Sequence, residues 1–466
     1  MRILPRLNED VNEEWINDKS RFACDGLRTQ RLTTPLVRRD DKFYPTSWEG
    51  VLAEIANTFE RLQPKGHEVK AIAGHLVETE SLVAMKDLVN KLGSENLALD
   101  QPLGGKPPAH GVDSRSNYLF NSRISGVEES DAILLVGTNP RHEAALLNVR
   151  IRKRWLRSDV KIALVGGKFP GTFEYTHLGQ DFHSLKLALA GGFGQTLLSA
   201  NRPTIIVGSA VAEHPDGKAI FGVIGQFVDK NAAKFISPEW NGYNILQRAA
   251  SRTGAYDVGF CAPNPTVAET MPKVVFLLGA DEIQPSDIPK EAFIIYQGHH
   301  GDTGAQYADI VLPGATYIEK SGTYVNTEGR AQLTRPACVL PGVAREDWKI
   351  IRAVSEVIGA TLPYDNITEL RARMEEISPA LTRYDVLEQP SVEVMKAGVK
   401  TQLVYGESMK ARNSLLQNPI ENFYFTDTIS RSSKTMARCS AANMARTNVV
   451  GGGDAPEQVA VGGGFV

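Results

Sequence analysis

Cysteine is scarce in this chain, and that scarcity is the first constraint on its chemistry. Among 466 residues there are four, Cys24, Cys261, Cys338 and Cys439, and the nearest two, Cys261 and Cys338, stand 77 positions apart. Such spacing excludes a CxxC metal clip and lends no support to a disulfide framework. Positive charge is not in surplus either, with 51 Lys and Arg against 54 Asp and Glu and a net charge of -3. The attraction for polyphosphate behind nonspecific nucleic-acid binding is therefore missing, and nucleic acid is not an expected partner. No apolar run approaches the ~20 residues that cross a bilayer, so no direct membrane span is expected. The start turns acidic at Glu9 and Asp10, without the apolar core of a signal peptide or the acid-poor composition of a transit peptide. Dinucleotide, P-loop and serine-hydrolase signatures are missing as well.

What is present reads as a folded multidomain chain. Apolar residues make up 42% and charged ones 23%, with 41 Gly and 25 Pro, values that exclude disorder, collagen and coiled coil for the whole. Six apolar runs end in glycine, at residues 69–74, 132–137, 161–166, 204–208, 273–279 and 293–298. Being apolar at nearly every position, they suit strands covered on both faces, and helical patterns lie between most of them, as in a parallel βαβ sheet. The expected fold is α/β and doubly wound. A capping box at Thr46-Ser47-Trp48-Glu49 opens a helix that Pro64 stops. Further helices are expected at 80–92, 143–156, 217–229 and 243–252. Two halves, about 40–195 and 200–335, would meet at Asn201-Arg202-Pro203, although spacing leaves interleaved halves open. Residues 1–39 precede them; a helical and docking segment, 336–440, follows, with helices at 347–358 and 367–377 as an exterior appendage. Residues 441–466 read as a loose Gly-rich tail.

Three clusters carry candidate chemistry. Gly137-Thr138-Asn139-Pro140-Arg141 sits where a strand passes into a helix, the place where open α/β sheets hold nucleotides and phosphates. Gly137 would admit a ligand to the backbone, Asn139 would hydrogen-bond it and Arg141 would meet an anion, yet a strand-to-helix corner needs the same residues sterically. Arg150, Arg152, Lys153, Arg154 and Arg157 form a basic helix, either a docking surface for an acidic protein or a solvated face. His299, His300 and Asp302, in Gly298-His299-His300-Gly301-Asp302, suggest a metal at first sight. Adjacent histidines in a loop rarely converge on one ion, no further ligand completes the set, and the glycines describe a tight turn instead.

Residues 308–332 resemble the molybdopterin oxidoreductase superfamily through a run close to ADxVLPG…EKxGTYVNTEGRxQ. Within it the chain is similar to the 75 kDa iron-sulfur subunit family of mitochondrial respiratory complex I. The similarity rests on Met1-Arg2-Ile3-Leu4-Pro5-Arg6, Asn12-Glu13-Glu14-Trp15, Gly137 to Arg141, Gly298 to Asp302, Arg345-Glu346-Asp347-Trp348-Lys349-Ile350, and residues 423–431 and 435–439, covering all but the tail. The resemblance implies two Rossmann-like halves in a core subunit of the proton-translocating NADH:ubiquinone reductase. The expected setting is the matrix side of the mitochondrial inner membrane, against other peripheral-arm subunits that include the flavin-bearing NADH-binding module. The family's one 2Fe-2S and two 4Fe-4S clusters belong to an upstream region this sequence does not contain, and none of Cys24, Cys261, Cys338 or Cys439 matches a cluster ligand. The chain alone is therefore expected to be a catalytically silent scaffold, with no catalytic, cofactor-binding or metal-ligating residue. A longer form, or a separate cysteine-rich companion, is expected beside it, and residues 423–439 are expected to dock on a surface outside that segment. The alternatives are a free-standing molybdopterin-dependent oxidoreductase that uses the 137–141 and 298–302 loops, and a carrier that holds a nucleotide in the α/β crevice.

Overall fold

A computed structural model describes residues 2–100, 108–261, 271–284, 286, 288–406 and 411–450. The six glycine-ended runs are all strands. In chain order the sheet strands are β1 (Leu36–Arg39), β2 (Lys42–Pro45), β3 (Val69–Ala73), β4 (Leu97–Leu99), β5 (Ala132–Val136), β6 (Lys161–Val165), β7 (Thr176–Gly179), β8 (Pro203–Val207), β9 (Tyr243–Ile245), β10 (Val274–Leu278), β11 (Phe293–Gly298) and β12 (Ile310–Pro313). The larger sheet runs β2-β1-β12-β11-β10-β3-β4 and the smaller β7-β6-β5-β8-β9. The smaller is parallel throughout; in the larger, only the β1–β2 hairpin brings antiparallel pairing. Strands β5, β8 and β10 are buried along their whole length, which is why their sequences carry no polar alternation.

The halves interleave, and the division at about residue 200 does not hold. The larger sheet takes β1 to β4 from before residue 100 and β10 to β12 from after residue 273, while the smaller sheet is inserted between them. Asn201 to Pro203 is no joint: Pro203 opens β8, paired with Ala132 of β5. Counting strands along the chain could not reveal this, because parallel neighbours need not be consecutive. Residues 1–39 do not merely precede the α/β region, since β1 lies among them and pairs with β12.

Helices cover the faces as their patterns require. The helix Trp48–Leu62 starts where the Ser47 side chain accepts the Gly50 N–H and ends at a left-handed Gln63 with φ 40°. It turns Val51, Ile55 and Phe59 inward, and each fully buried side chain of this size contributes roughly 1.5–3 kcal/mol. Residues 243–252 depart from the expected helix. Tyr243 to Ile245 form the edge strand β9 beside β8, where buried Asn244 accepts from the Ser122 N–H and hydroxyl at 2.8 and 3.0 Å, and the helix Arg252–Asp257 follows. Nor are the helices Asp347–Val357 and Ile367–Ile377 an exterior appendage. Trp348, Ile351, Val354, Leu370 and Met374 are buried in the same core as Val83 and Leu88 of the helix Thr79–Lys91. An unforeseen helix, Val392–Gly406, sends Met395 and Val399 into the core beneath the smaller sheet. The last helix, Lys434–Val450, takes up part of the expected tail; residues 451–466 lie outside the described residues. Among the described residues no helix is long and apolar enough to cross a membrane.

Candidate functional site

In an open parallel sheet the ligand crevice lies beyond the carboxyl ends of the strands, where the strand order reverses. In the larger sheet that point falls between β3 and β10, since β11 and β12 extend to one side and β4 to the other. The backbones meet closely there: a Cβ on Gly74 would stand 1.6 Å from the Gly279 carbonyl oxygen. His75 to Glu78, after β3, and Gly279, Asp281 and Glu282, after β10, line the crevice with Lys320, Asp347, Asp427 and Thr428.

The crevice holds a buried charge network rather than a receptive surface. Lys320 Nζ lies 2.5 Å from Glu78 Oε2 and 2.6 Å from Asp347 Oδ2, with the three side chains 5%, 2% and 7% exposed. Burial works against the ammonium, but Asp347 and Glu78 beside it hold its pKa well above the ordinary lysine value. Asp281 accepts the Gly304 N–H at 2.8 Å and the Tyr296 hydroxyl at 2.9 Å. Burial, reinforced by Asp302, raises its pKa to about 7. Asp100 is likewise raised to about 7 by burial, although Arg252 Nη2 lies 2.9 Å from its Oδ1. His75 is held neutral, well below its usual pKa, by burial and then by Arg252. Above them passes the segment around 426–431, where Arg431 bridges Asp302 at 2.8 Å and Glu282 at 2.7 Å. The space left beneath it open to the centre of a water molecule is about 20 Å³, which is room for about one water.

The second strand-end site is also filled from within. Gly137, Thr138 and Asn139 follow β5 as expected, and Asn139 caps the short helix Pro140–Glu143. The Glu143 carboxylate accepts the Asn139 N–H at 3.0 Å, the Ser209 N–H at 3.0 Å and the Ser209 hydroxyl at 2.8 Å. These donors at the ends of β5 and β8 are the ones an anionic ligand would use. Gly137 adopts φ +54°, and a Cβ there would stand 2.7 Å from Val211 Cγ2, so the glycine serves the corner. Arg141 reaches away to the Pro170 carbonyl at 3.2 Å. Glu143 as the occupant escaped the sequence reading, though an acid four residues after Asn139 on a helical turn was the available signal.

His299 and His300 form a clamp. Their Nδ1 atoms are 2.6 Å apart, and His300 Nε2 lies 2.7 Å from the Gly26 carbonyl. Since a carbonyl only accepts, His300 donates from Nε2 and accepts at Nδ1 from the His299 N–H. Burial keeps both rings neutral, below their usual pKa. Asp302 caps the helix Thr303–Tyr307 and pairs with Arg431. Among the described residues no group of three or more His, Cys, Asp or Glu is arranged to hold a metal. The far side of this clamp is residues 23–28, on which residues 423–439 dock: Ile429 packs with Cys24 and Leu27, and Asp25 accepts the Thr435 N–H at 2.9 Å and hydroxyl at 3.0 Å. The partner of that segment thus lies within the chain.

The basic helix turns part of its cluster inward, while Arg152, which donates to the Thr172 carbonyl, and Arg157 stay exposed. Arg150 is 4% exposed, sits 2.7 Å from Glu128 and donates to the Glu9 carbonyl at 2.6 Å. Lys153 pairs with Glu13 and Glu128, and Arg154 donates to the Ser130 carbonyl at 2.6 Å. Arg157, which also meets Glu128, keeps 61% of its side chain exposed. Glu128 and, from the N-terminal segment, Glu13 are therefore the acids that meet the cluster, while the Glu9 and Val11 carbonyls accept from Arg150; Arg150 and Lys153 form neither a free docking surface nor a solvated face.

The family model for molybdopterin oxidoreductases matches residues 31–357. The chain belongs to the molybdopterin oxidoreductase family. Flanking it, a model for the C-terminal region of an NADH-ubiquinone oxidoreductase subunit matches residues 386–439, and an NADH-ubiquinone oxidoreductase NDSU1/NuoG-like 4Fe-4S domain matches residues 1–25. The chain is 64% identical to the mitochondrial NADH-ubiquinone oxidoreductase 78 kDa subunit of Neurospora crassa over 97% of its own length and 61% of that protein's. It is 41% identical to the mitochondrial NADH dehydrogenase [ubiquinone] iron-sulfur protein 1 of Solanum tuberosum over 95% of its length and 58% of that protein's. The chain thus spans about three fifths of the relatives it matches. Acetylene hydratase from Pelobacter acetylenicus shares the fold, with a TM-score of 0.51 and 14% identity over 91% of this chain and 73% of that one.

The pterin cofactor for which the family is named does not fit these residues. It is anionic, and in the larger crevice it would meet Glu78, Asp281, Glu282, Asp347 and Asp427 against Lys320 and Arg431, each already paired with two carboxylates. Asp427 and Thr428 close the space over Lys320 and Asp347, and the cavity of about 460 Å³ that adjoins it beyond His75, Asp281 and Glu282 brings a further carboxylate, Glu421. The 4Fe-4S match brings one cysteine within residues 1–25, Cys24, which is buried against Leu27 and Ile429, whereas such a cluster takes about four thiolates.

Proposed function

We propose that this chain is the scaffold part of a core subunit of respiratory complex I, the NADH:ubiquinone oxidoreductase, and performs no chemistry alone. One observation carries the reading: both strand-end sites, where an active family member would hold its ligand, are filled by the chain's own carboxylates and its own C-terminal segment. The names of relatives up to 64% identical support the assembly to which it would belong.

In this reading the chain carries no cluster, pterin or metal, and electrons from NADH to ubiquinone pass through cluster-bearing polypeptide that it supports. It sits on the matrix side of the inner mitochondrial membrane, among peripheral-arm subunits that include the flavin-bearing NADH-binding module. The test is native electrophoresis of mitochondrial extract with an in-gel NADH dehydrogenase stain, followed by metal analysis of the pure chain. Co-migration with the stained band and substoichiometric molybdenum, tungsten and iron are expected. One molybdenum or tungsten per chain would establish the rival, a free-standing molybdopterin-dependent oxidoreductase.

A further inference from the structure

Away from both crevices the surface carries an apolar feature that stands open to solvent. Between Arg335 and Arg345 lie nine uncharged residues, among them Pro336, Cys338, Val339, Leu340 and Val343. Val339 is 91% exposed and Val343 41%. Single exposed apolar residues need no explanation, but a contiguous run does.

The loop is held in one shape. The N–H groups of Ala337 and Cys338 donate to the Ile318 carbonyl at 2.7 and 3.1 Å, that of Val343 to Thr33 at 2.9 Å, and that of Arg345 to Pro313 at 3.1 Å. Pro336 and Pro341 fix two further φ angles. Val339 is thus presented by a backbone already ordered, and a partner that covers it does not have to order it first. Arg335 and Arg345 stand exposed at the two ends, and neither pairs with a carboxylate among the described residues; Arg345 Nη1 donates to the carbonyls of Val343 and Ala344.

We infer that residues 335–345 form a preformed docking surface for another protein, one that offers an apolar depression rimmed by carboxylates. The inference rests on the scaffold reading above and names one of the surfaces by which that scaffold would enter its assembly. Charge complementarity selects the occupant. A second copy meeting this loop about a two-fold axis would set arginine against arginine, which like-charge repulsion disfavours, whereas an acidic rim satisfies both ends while Val339 and Val343 lose their water.

Cys338 lies in the loop and is exposed, while Cys24 is buried and serves as an internal control. Alkylation with isotope-coded maleimide would be followed on the free full-length chain and on the chain within the NADH dehydrogenase-active complex. Cys338 is expected to react rapidly in the free chain and to be protected in the complex. Val339→Asp should weaken incorporation about tenfold without moving the melting temperature, and Arg335→Glu with Arg345→Glu should weaken it in a salt-sensitive manner. Equal reactivity of Cys338 in the free and assembled chain would overturn the surface while leaving the scaffold reading intact. Absence of the chain from the active complex would overturn that reading, and this inference with it. Protection of the free chain by anionic phospholipid vesicles, or by raising its own concentration, would assign the loop to a membrane or a second copy and refute the acidic protein partner. Protection unaffected by the double charge reversal would refute the acidic rim.

Discussion

Replacing Lys320 by methionine tests whether the larger crevice is a closed structural network. The substitution keeps an unbranched side chain one atom shorter and removes one cation from between two buried carboxylates, Glu78 at 2.5 Å and Asp347 at 2.6 Å. The Asp347 carboxylate is tied further into the fold, since it accepts from Gln297 Nε2 at 3.3 Å and from the Ala315 N–H at 3.4 Å, so it cannot swing out to water without giving up both contacts. Breaking one partner out of a buried pair costs about 3–5 kcal/mol, because the charge left behind has lost its solvent and its counter-ion. For a cooperative unit of 150–250 residues, each kcal/mol is roughly 2–4 °C in melting temperature, so a fall of about 6 °C or more is expected at pH 7.

The pH dependence has a definite sign. Burial already raises the pKa of Glu78, with Lys320 opposing that rise, and loss of Lys320 removes the opposition. A carboxyl whose folded pKa lies above its unfolded value contributes stability at low pH that is lost as pH rises through the folded pKa. The deficit of Lys320→Met should therefore shrink between pH 7 and pH 5. Adding Glu78→Gln and Asp347→Asn should recover most of it, since the triple variant buries no unpaired charge. Calorimetry of the parent and the two variants at both pH values decides the matter. A single variant within about 2 °C of the parent, or a triple variant no more stable than the single, would refute the network as described.

Three further outcomes follow from the same contacts. Arg150→Ala should loosen residues 9–13 and make them sensitive to limited proteolysis, whereas Arg157→Ala, at a side chain 61% exposed, should change stability by less than about 1 kcal/mol. Gly26→Ala would place a Cβ 2.0 Å from the Ile429 carbonyl oxygen, and the overpacking, about 1–3 kcal/mol, should release the 423–439 segment and expose Cys24 to a thiol reagent. The neutral His299–His300 pair has folded pKa values below the free histidine value, so its stabilisation is complete above pH ~6.5 and lost as pH falls below that value. Trp15 emission should report a loosened N-terminal segment on acidification, and His300→Gln, which keeps the donor to Gly26 but does not titrate, should reduce that change.

How much of this was legible in the sequence depends on whether the signal was local. Strands such as β5 and β10 announced themselves, because an element buried on both faces must be apolar at every position and ends where glycine turns the chain. Helix Trp48–Leu62 was equally plain, its Ser47 cap and its inward Val51, Ile55 and Phe59 lying within one window. Strand β9 was misread because Tyr243 and Ile245 suit a helix face as well as a strand, and what decides between them is the neighbouring β8, about forty residues upstream in the chain. The interleaved sheets were hidden for the same reason, since nothing near Pro203 shows that β5 is its neighbour.

The charged clusters failed to declare themselves in a more instructive way. Arg150 and Lys153 look in sequence like any solvated basic face, and only the path of residues 9–13 over that helix turns them into a clamp. Lys320 and Asp347 gave no sign of their role, and Glu143 only its helical spacing from Asn139, because the remaining partners that define each role arrive from other elements. A carboxylate in place of an anionic ligand leaves the glycine-rich corner unchanged: Gly137 and Asn139 are required by the turn whether the donors beyond them meet a phosphate or Glu143. A strand-end motif therefore identifies the corner of an α/β sheet, and its occupant can be read only from the residue that reaches back to fill it.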